Sequence, residues 1–228
     1  MSYMILDYRT NKKIIKKAKK YGFEVVLTQE IPGIDASVAG HPDMQLTKVG
    51  NSLIVSPECY DYYREMLPDV EIYSGKKKVQ GKYPEYVAYN VALTSSYMIH
   101  NFEFTDPVVL EHAGENVKKI DVSQGYSKCS CLTLPGSVIT SDKGIAKKCQ
   151  EKGLSFLLIE EGDITLTGKD FGFIGGASGY YKNIVYFAGN IKKHKSGEKI
   201  LRFLHQKCIE TVCLSNDKLA DIGSIIIV

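Results

Sequence analysis

His41-Pro42-Asp43 sets an imidazole two residues from a carboxylate, immediately before an apolar run. A histidine titrates near neutral pH and can move a proton. Asp43 lies three residues before Leu46, and the same spacing puts Asn90 before Leu93, Cys129 before Leu132 and Asp163 before Leu166. A fifth such place falls at Asp221 or Ile222. Carboxylates, an amide and a thiol in equivalent places form a set that could bind and attack a small molecule. In it Asp43 and Asp163 are the best ligand-contacting pair. His41 would transfer protons, Asn90 would supply an amide, and Cys129 is either a nucleophile or a small buried residue.

Three further stretches carry polar chemistry. Asp7 and Arg9 stand where a strand gives way to a helix; Arg9 either pairs with a ligand carboxylate, as an amino-acid-like substrate would need, or forms an ion pair with Asp7. Phe173-Ile-Gly-Gly-Ala-Ser-Gly179 offers Gly175, Gly176 and Ser178 for close main-chain approach to a ligand, or is simply a bend. Cys129-Ser-Cys131 lacks the spacing of a zinc set, so no metal is expected. The chain has neither a Walker loop nor G-x-G-x-x-G, so no nucleotide cofactor is expected.

The composition narrows the class. With 44% hydrophobic and 24% charged residues, the 228-residue chain reads as an ordinary globular protein, in which one domain over 1–228 is expected. Only Arg9, Arg64 and Arg202 are arginines, so the bidentate fork used to read phosphates and bases is scarce, and a nucleic-acid partner is disfavoured. The Lys-rich stretch 11–20 reads as a solvated helix face. Apolar runs such as Ser224–Val228 are far too short to span a bilayer, and the start of the chain has no export signal. Six cysteines without framework spacing then read as reduced thiols in a cytoplasmic protein.

What must position the candidate residues is a repeated element order. Helical spacing over 59–66, 107–113, 143–152, 198–208 and 11–21 alternates with short β-rich runs. Turn residues stand at Gly50-Asn51, Ser95-Ser96, Pro135-Gly136 and Gly168-Lys169. The fourth unit is expected to pair around Gly168-Lys169 and to carry an inserted hairpin over 182–197. The order is ββαβ five times, the fifth unit divided between the two ends of the chain, which would close a ring without open sheet edges. Equivalent residues would then face a common central cavity.

Five such units, with Glu160-Glu-Gly-Asp-Ile-Thr-Leu-Thr-Gly-Lys169 as the most specific stretch, resemble the pentein fold or α/β propeller of guanidino-group-modifying enzymes. The chain is similar to divergent bacterial members of that superfamily. The resemblance implies hydrolysis of a guanidino or amino-acid-like compound, with Asp163 and Asp43 as the acidic residues. It also implies a Cys nucleophile in the last unit and a His in the third. Here the last unit reads Asp221-Ile-Gly-Ser and the third Gln124-Gly-Tyr-Ser-Lys-Cys129, so neither is in its expected place. The alternative is a non-catalytic binding protein like the ribosome anti-association factor of the same fold, with the ribosome as partner.

Overall fold

A computed structural model describes residues 2–228. Local signals set the helices. Asn11 caps Lys12–Lys20 by accepting from the Lys13 N–H, and that helix buries Ile14 and Ala18 while its lysines face outward. Asp106 caps Pro107–Ala113, with the proline at the first turn, where its missing N–H costs nothing. Asp142 caps Lys143–Lys152, and Gly153 ends it in the left-handed conformation. Tyr60–Met66 and Gly197–Gln206 are the other two long helices.

These helices connect strands into a mixed α/β structure of small sheets. Five three-stranded sheets share one pairing scheme: two antiparallel strands, then a third parallel to the second. Leu46–Val49, Ser52–Val55 and Ile72–Ser74 form one. Ala92–Leu93, Tyr97–His100 and Lys118–Asp121 form the next. Cys131–Leu134, Ser137–Thr140 and Ser155–Leu158 follow. The fourth is Ser178–Tyr181, Ile184–Phe187 and Glu210–Cys213. In the fifth, the C-terminal Ile226–Ile227 pairs with Tyr3–Leu6, which pairs in turn with Glu24–Leu27. The middle strand of every sheet is buried: Ile5, Ile54, Ile99, Ile139 and Val185 have essentially no exposed surface. Each such side chain contributes about 1.5–3 kcal/mol of burial.

The fourth unit departs from the expected pairing. Its hairpin turns at Lys182-Asn183, both with positive φ, and not at Gly168-Lys169. Residues 184–187, expected inside an insertion, are the middle strand. The strand signal at Ile164-Thr-Leu-Thr yields only Ile164–Thr165, paired in parallel with Leu219–Ala220 in a separate two-stranded sheet. Asn tolerates the left-handed region that a two-residue hairpin turn needs, so Asn183 with strands on both sides prevails over the Gly-Lys pair. The extra chain length therefore precedes this hairpin, over 160–177, and supplies a wall of the site. Among the described residues, no helix is long and apolar enough to cross a membrane.

Candidate active site

Two single-turn helices at strand entrances set up the centre of the site. Pro42–Gln45 precedes Leu46 and turns Asp43 inward; Ser127–Ser130 precedes Cys131 and does the same for Cys129. Asn90 joins them. Its carbonyl oxygen accepts the Lys128 and Cys129 backbone N–H groups at 2.8 and 3.2 Å, and its amide donates to Cys129 Sγ at 3.2 Å. The thiol in turn donates to Asp43 Oδ2 at 3.0 Å, and Ser224 Oγ donates to the same oxygen at 2.6 Å. Lys128 Nζ reaches Ser224 Oγ at 3.2 Å, so a polar chain runs from the ammonium through the hydroxyl and carboxylate to the thiol.

His41 and Asp221 complete the cluster. His41 Nδ1 stands 4.0 Å from Asp221 Oδ1, a charge neighbour and not a hydrogen bond. That nitrogen has no hydrogen-bond partner, and neither does Asp43 Oδ1, although both atoms are buried. Asp221 is held by the Phe173 N–H at 2.8 Å and the Gly223 N–H at 3.0 Å. Close approach explains two glycines: a Cβ at Gly176 would lie 2.0 Å from Asp221 Oδ1, and one at Gly223 would lie 2.2 Å from His41 Cβ.

Burial dominates the electrostatics. It lowers the His41 pKa below the usual histidine range, against the pull of Asp221. It raises Asp43 against its hydrogen bonds from Ser224 and Cys129, and raises Asp221 against His41. It pushes the Cys129 thiol well above its ordinary value, with Asp43 and Asp221 adding to the effect, and it lowers Lys128. The resting cluster therefore favours neutral forms, a thiol and an uncharged imidazole. A cation delivered beside Asp221 acts against that preference, because the carboxylate then gains an opposite charge.

His41, Cys129 and Asp221 form the floor of a cavity of about 350 Å³. Its walls are Val38, Tyr126, Leu166, Phe171 and Phe173, with Lys169 and Asp170 at the mouth. One donor atom from each of the three floor residues lies within 4.8 Å of the others, so this set could also hold a divalent ion. No local spacing reveals such a set, because its members come from three distant segments.

The other expected site residues lie elsewhere. Asp163 adopts a φ of 59° and accepts the Lys195 N–H at 3.1 Å; Asp221, not Asp163, joins His41. Its displacement follows from the altered pairing of the fourth unit. Gly175 and Gly176 face protein atoms, and Ser178 Oγ donates to Ile174 O at 2.6 Å, so that segment packs against the chain and not against a ligand. Asp7 and Arg9 form a 2.6 Å ion pair. Arg9 also donates to Ala36 O and Ser37 O at 2.7 and 3.1 Å, and the pair lines a separate 190 Å³ pocket behind His41. Lys128 and Ser224 were not among the expected residues. A lone lysine between Ser127 and Cys129, at a strand entrance, was the available signal.

A profile described as a family of unknown function (DUF6873) matches residues 5–226. No curated protein matches the sequence. Among solved structures, a cysteine-to-serine variant of DDAH from Pseudomonas aeruginosa, complexed with citrulline, is similar with a TM-score of 0.55 at 6% identity, over 98% of this chain and 95% of that one. A dimethylarginine dimethylaminohydrolase adduct with 4-chloro-2-hydroxymethylpyridine gives a TM-score of 0.51 at 7% identity, over 93% and 92%. The N-terminal domain of ArgZ, an arginine dihydrolase from cyanobacteria, gives 0.40 at 15% identity; the match covers 62% of this chain and 55% of that one. At such identities the likeness is one of fold.

Proposed function

The chain belongs to the DUF6873 family of unknown function, and from that premise we propose a cysteine-dependent hydrolase of amidine- or guanidine-type C–N bonds. The observation that carries the proposal is the convergence of His41, Asp43, Cys129 and Asp221 beneath one apolar-walled cavity. In this reading the five sheets of one domain close into a five-unit α/β propeller with the site near its axis. The resemblance in sequence pattern places the family's Cys two units after its His. Cys129 likewise belongs to the third unit and His41 to the first, so the pair is rotated round the ring by two units and not lost.

A planar cation enters the cavity and sits against Asp221, which its charge helps to keep ionised, with Cys129 and, behind it, Asp43 next to its central carbon. Cys129 gives its proton to Asp43 and its electron pair to the central carbon of the substrate. Asp43 returns that proton to the leaving nitrogen as the C–N bond breaks, leaving a thioester-like cation on sulfur. His41 removes a proton from the attacking water. It returns that proton to sulfur as the C–S bond breaks, and the proton remaining on the carbonyl product leaves with the amine as its ammonium ion.

A panel of guanidines and amidines assayed for ammonia or amine release tests this directly. Release by the intact chain and none by Cys129→Ser supports it; equal release by both overturns it. A second reading, a ligand-binding protein without turnover, draws on the burial that keeps the Cys129 thiol protonated. Binding of a planar cation with no release of amine would favour that reading.

A further inference from the structure

We propose that the cavity is built for a planar cation carried on an apolar tail without a carboxylate, and so excludes α-amino acids. The inference rests on the cationic-substrate reading above and specifies its substrate class. It follows from which charges around the cavity are free and which are already engaged.

Among the described residues lining the cavity, Lys169 is the one lysine or arginine. Its ammonium is bound to Asp35 Oδ2 at 2.5 Å. Asp35 also accepts from Ser37 N at 2.9 Å and Ser37 Oγ at 2.7 Å, so the pair is fixed to the loop that forms the opposite rim. Arg9 lies behind that loop, directed to Asp7 and to the carbonyls of residues 36 and 37. The charges left to meet a ligand are Asp170 at the mouth and Asp221 at the floor.

A ligand carboxylate here would lose its water, meet two carboxylates and find no free cation, a penalty that binding cannot recover. An amidinium head meets Asp221, while Tyr126, Phe171 and Phe173 offer apolar surface and aromatic faces that attract a cation. A volume of about 350 Å³ suits a ring or a short chain behind that head. Arg9 therefore does not serve a ligand carboxylate, the role that an amino-acid-like substrate would require of it.

Calorimetric titration of the full chain with benzamidine and with L-arginine tests the assignment. Benzamidine should bind at least about tenfold more tightly, the cost of one desolvated, unpaired carboxylate. Asp35→Asn releases Lys169, and should improve L-arginine relative to benzamidine by about threefold, the worth of one exposed ion pair. L-arginine binding as tightly as benzamidine overturns the substrate class while leaving the cation site intact. Binding of neither cation overturns both this inference and the hydrolase reading it rests on.

Discussion

His41 and His100 are both buried, and burial lowers the pKa of both, yet their surroundings differ. His100 Nδ1 is 2.7 Å from Thr105 Oγ1 and its Nε2 is 3.1 Å from Gly125 O, so each ring nitrogen has a partner. His41 Nδ1 has none, and its nearest charged neighbour is 4.0 Å away. One imidazole links a strand end to two loops; the other leaves a polar atom unsatisfied beside a thiol and a cavity. Desolvation therefore does not by itself mark a site. An unmet hydrogen bond beside a thiol, a carboxylate and a cavity is the better guide, because most buried polar groups are satisfied.

The comparison can be broken most forcefully at Cys129, the thiol beside His41. Cys129→Ser should lower turnover of any amidine or guanidine substrate by at least about a thousandfold with the fold intact, as seen by amine release and circular dichroism. His100→Ala should destabilise the chain by about 2–4 kcal/mol in urea, since it leaves a cavity and two unpaired groups. His41→Ala should cost clearly less than His100→Ala in the same urea titration, because it leaves no unpaired partner at Nδ1 and its ring borders an existing cavity.

Acid sharpens the contrast further. His100 is pushed down to about 4 by burial, below the ordinary histidine value. The unfolded chain therefore takes up a proton first as pH falls, and stability is lost from about pH 6.5 downward until the folded pKa is passed. The loss should approach about 3 kcal/mol, and His100→Gln should flatten that part of the stability profile. The smallest expected effect is at the cavity wall. Phe173→Ala should weaken benzamidine binding by about twofold to fivefold, the worth of one aromatic face toward a cation.

Much of the fold was legible because its signals are local. Asn11, Asp106 and Asp142 announce their helices, and three of four expected turns lie at Gly50-Asn51, Ser95-Ser96 and Pro135-Gly136. The fourth unit misleads because the Thr-Gly-Lys stretch forms a turn, closed by the Lys169 N–H to Leu166 O at 3.1 Å, that joins no hairpin, while the hairpin turns at Lys182-Asn183. The site was legible only in part. Counted back from the turns, Asp43 corresponds to Ala88, Lys128 and Gly175, and not to Asn90, Cys129 and Asp163. Asp43, Asn90 and Cys129 nevertheless meet, because two single-turn helices and the Asn90 side chain bring them inward. Such convergence is a property of packing between distant segments, which no spacing along the chain encodes.

The most direct test compares 2-chloroacetamidine with its uncharged counterpart 2-chloroacetamide, and reads alkylation of each cysteine by mass spectrometry. Cys208 is exposed and serves as an internal reference, whereas Cys129 is buried at the cavity floor. The account predicts that the amidine alkylates Cys129 at least about tenfold faster than the amide does, relative to Cys208, because only the cation is drawn to Asp221 at the cavity floor and promotes loss of the thiol proton. Equal rates for the two reagents at Cys129, or modification confined to Cys208, would contradict it.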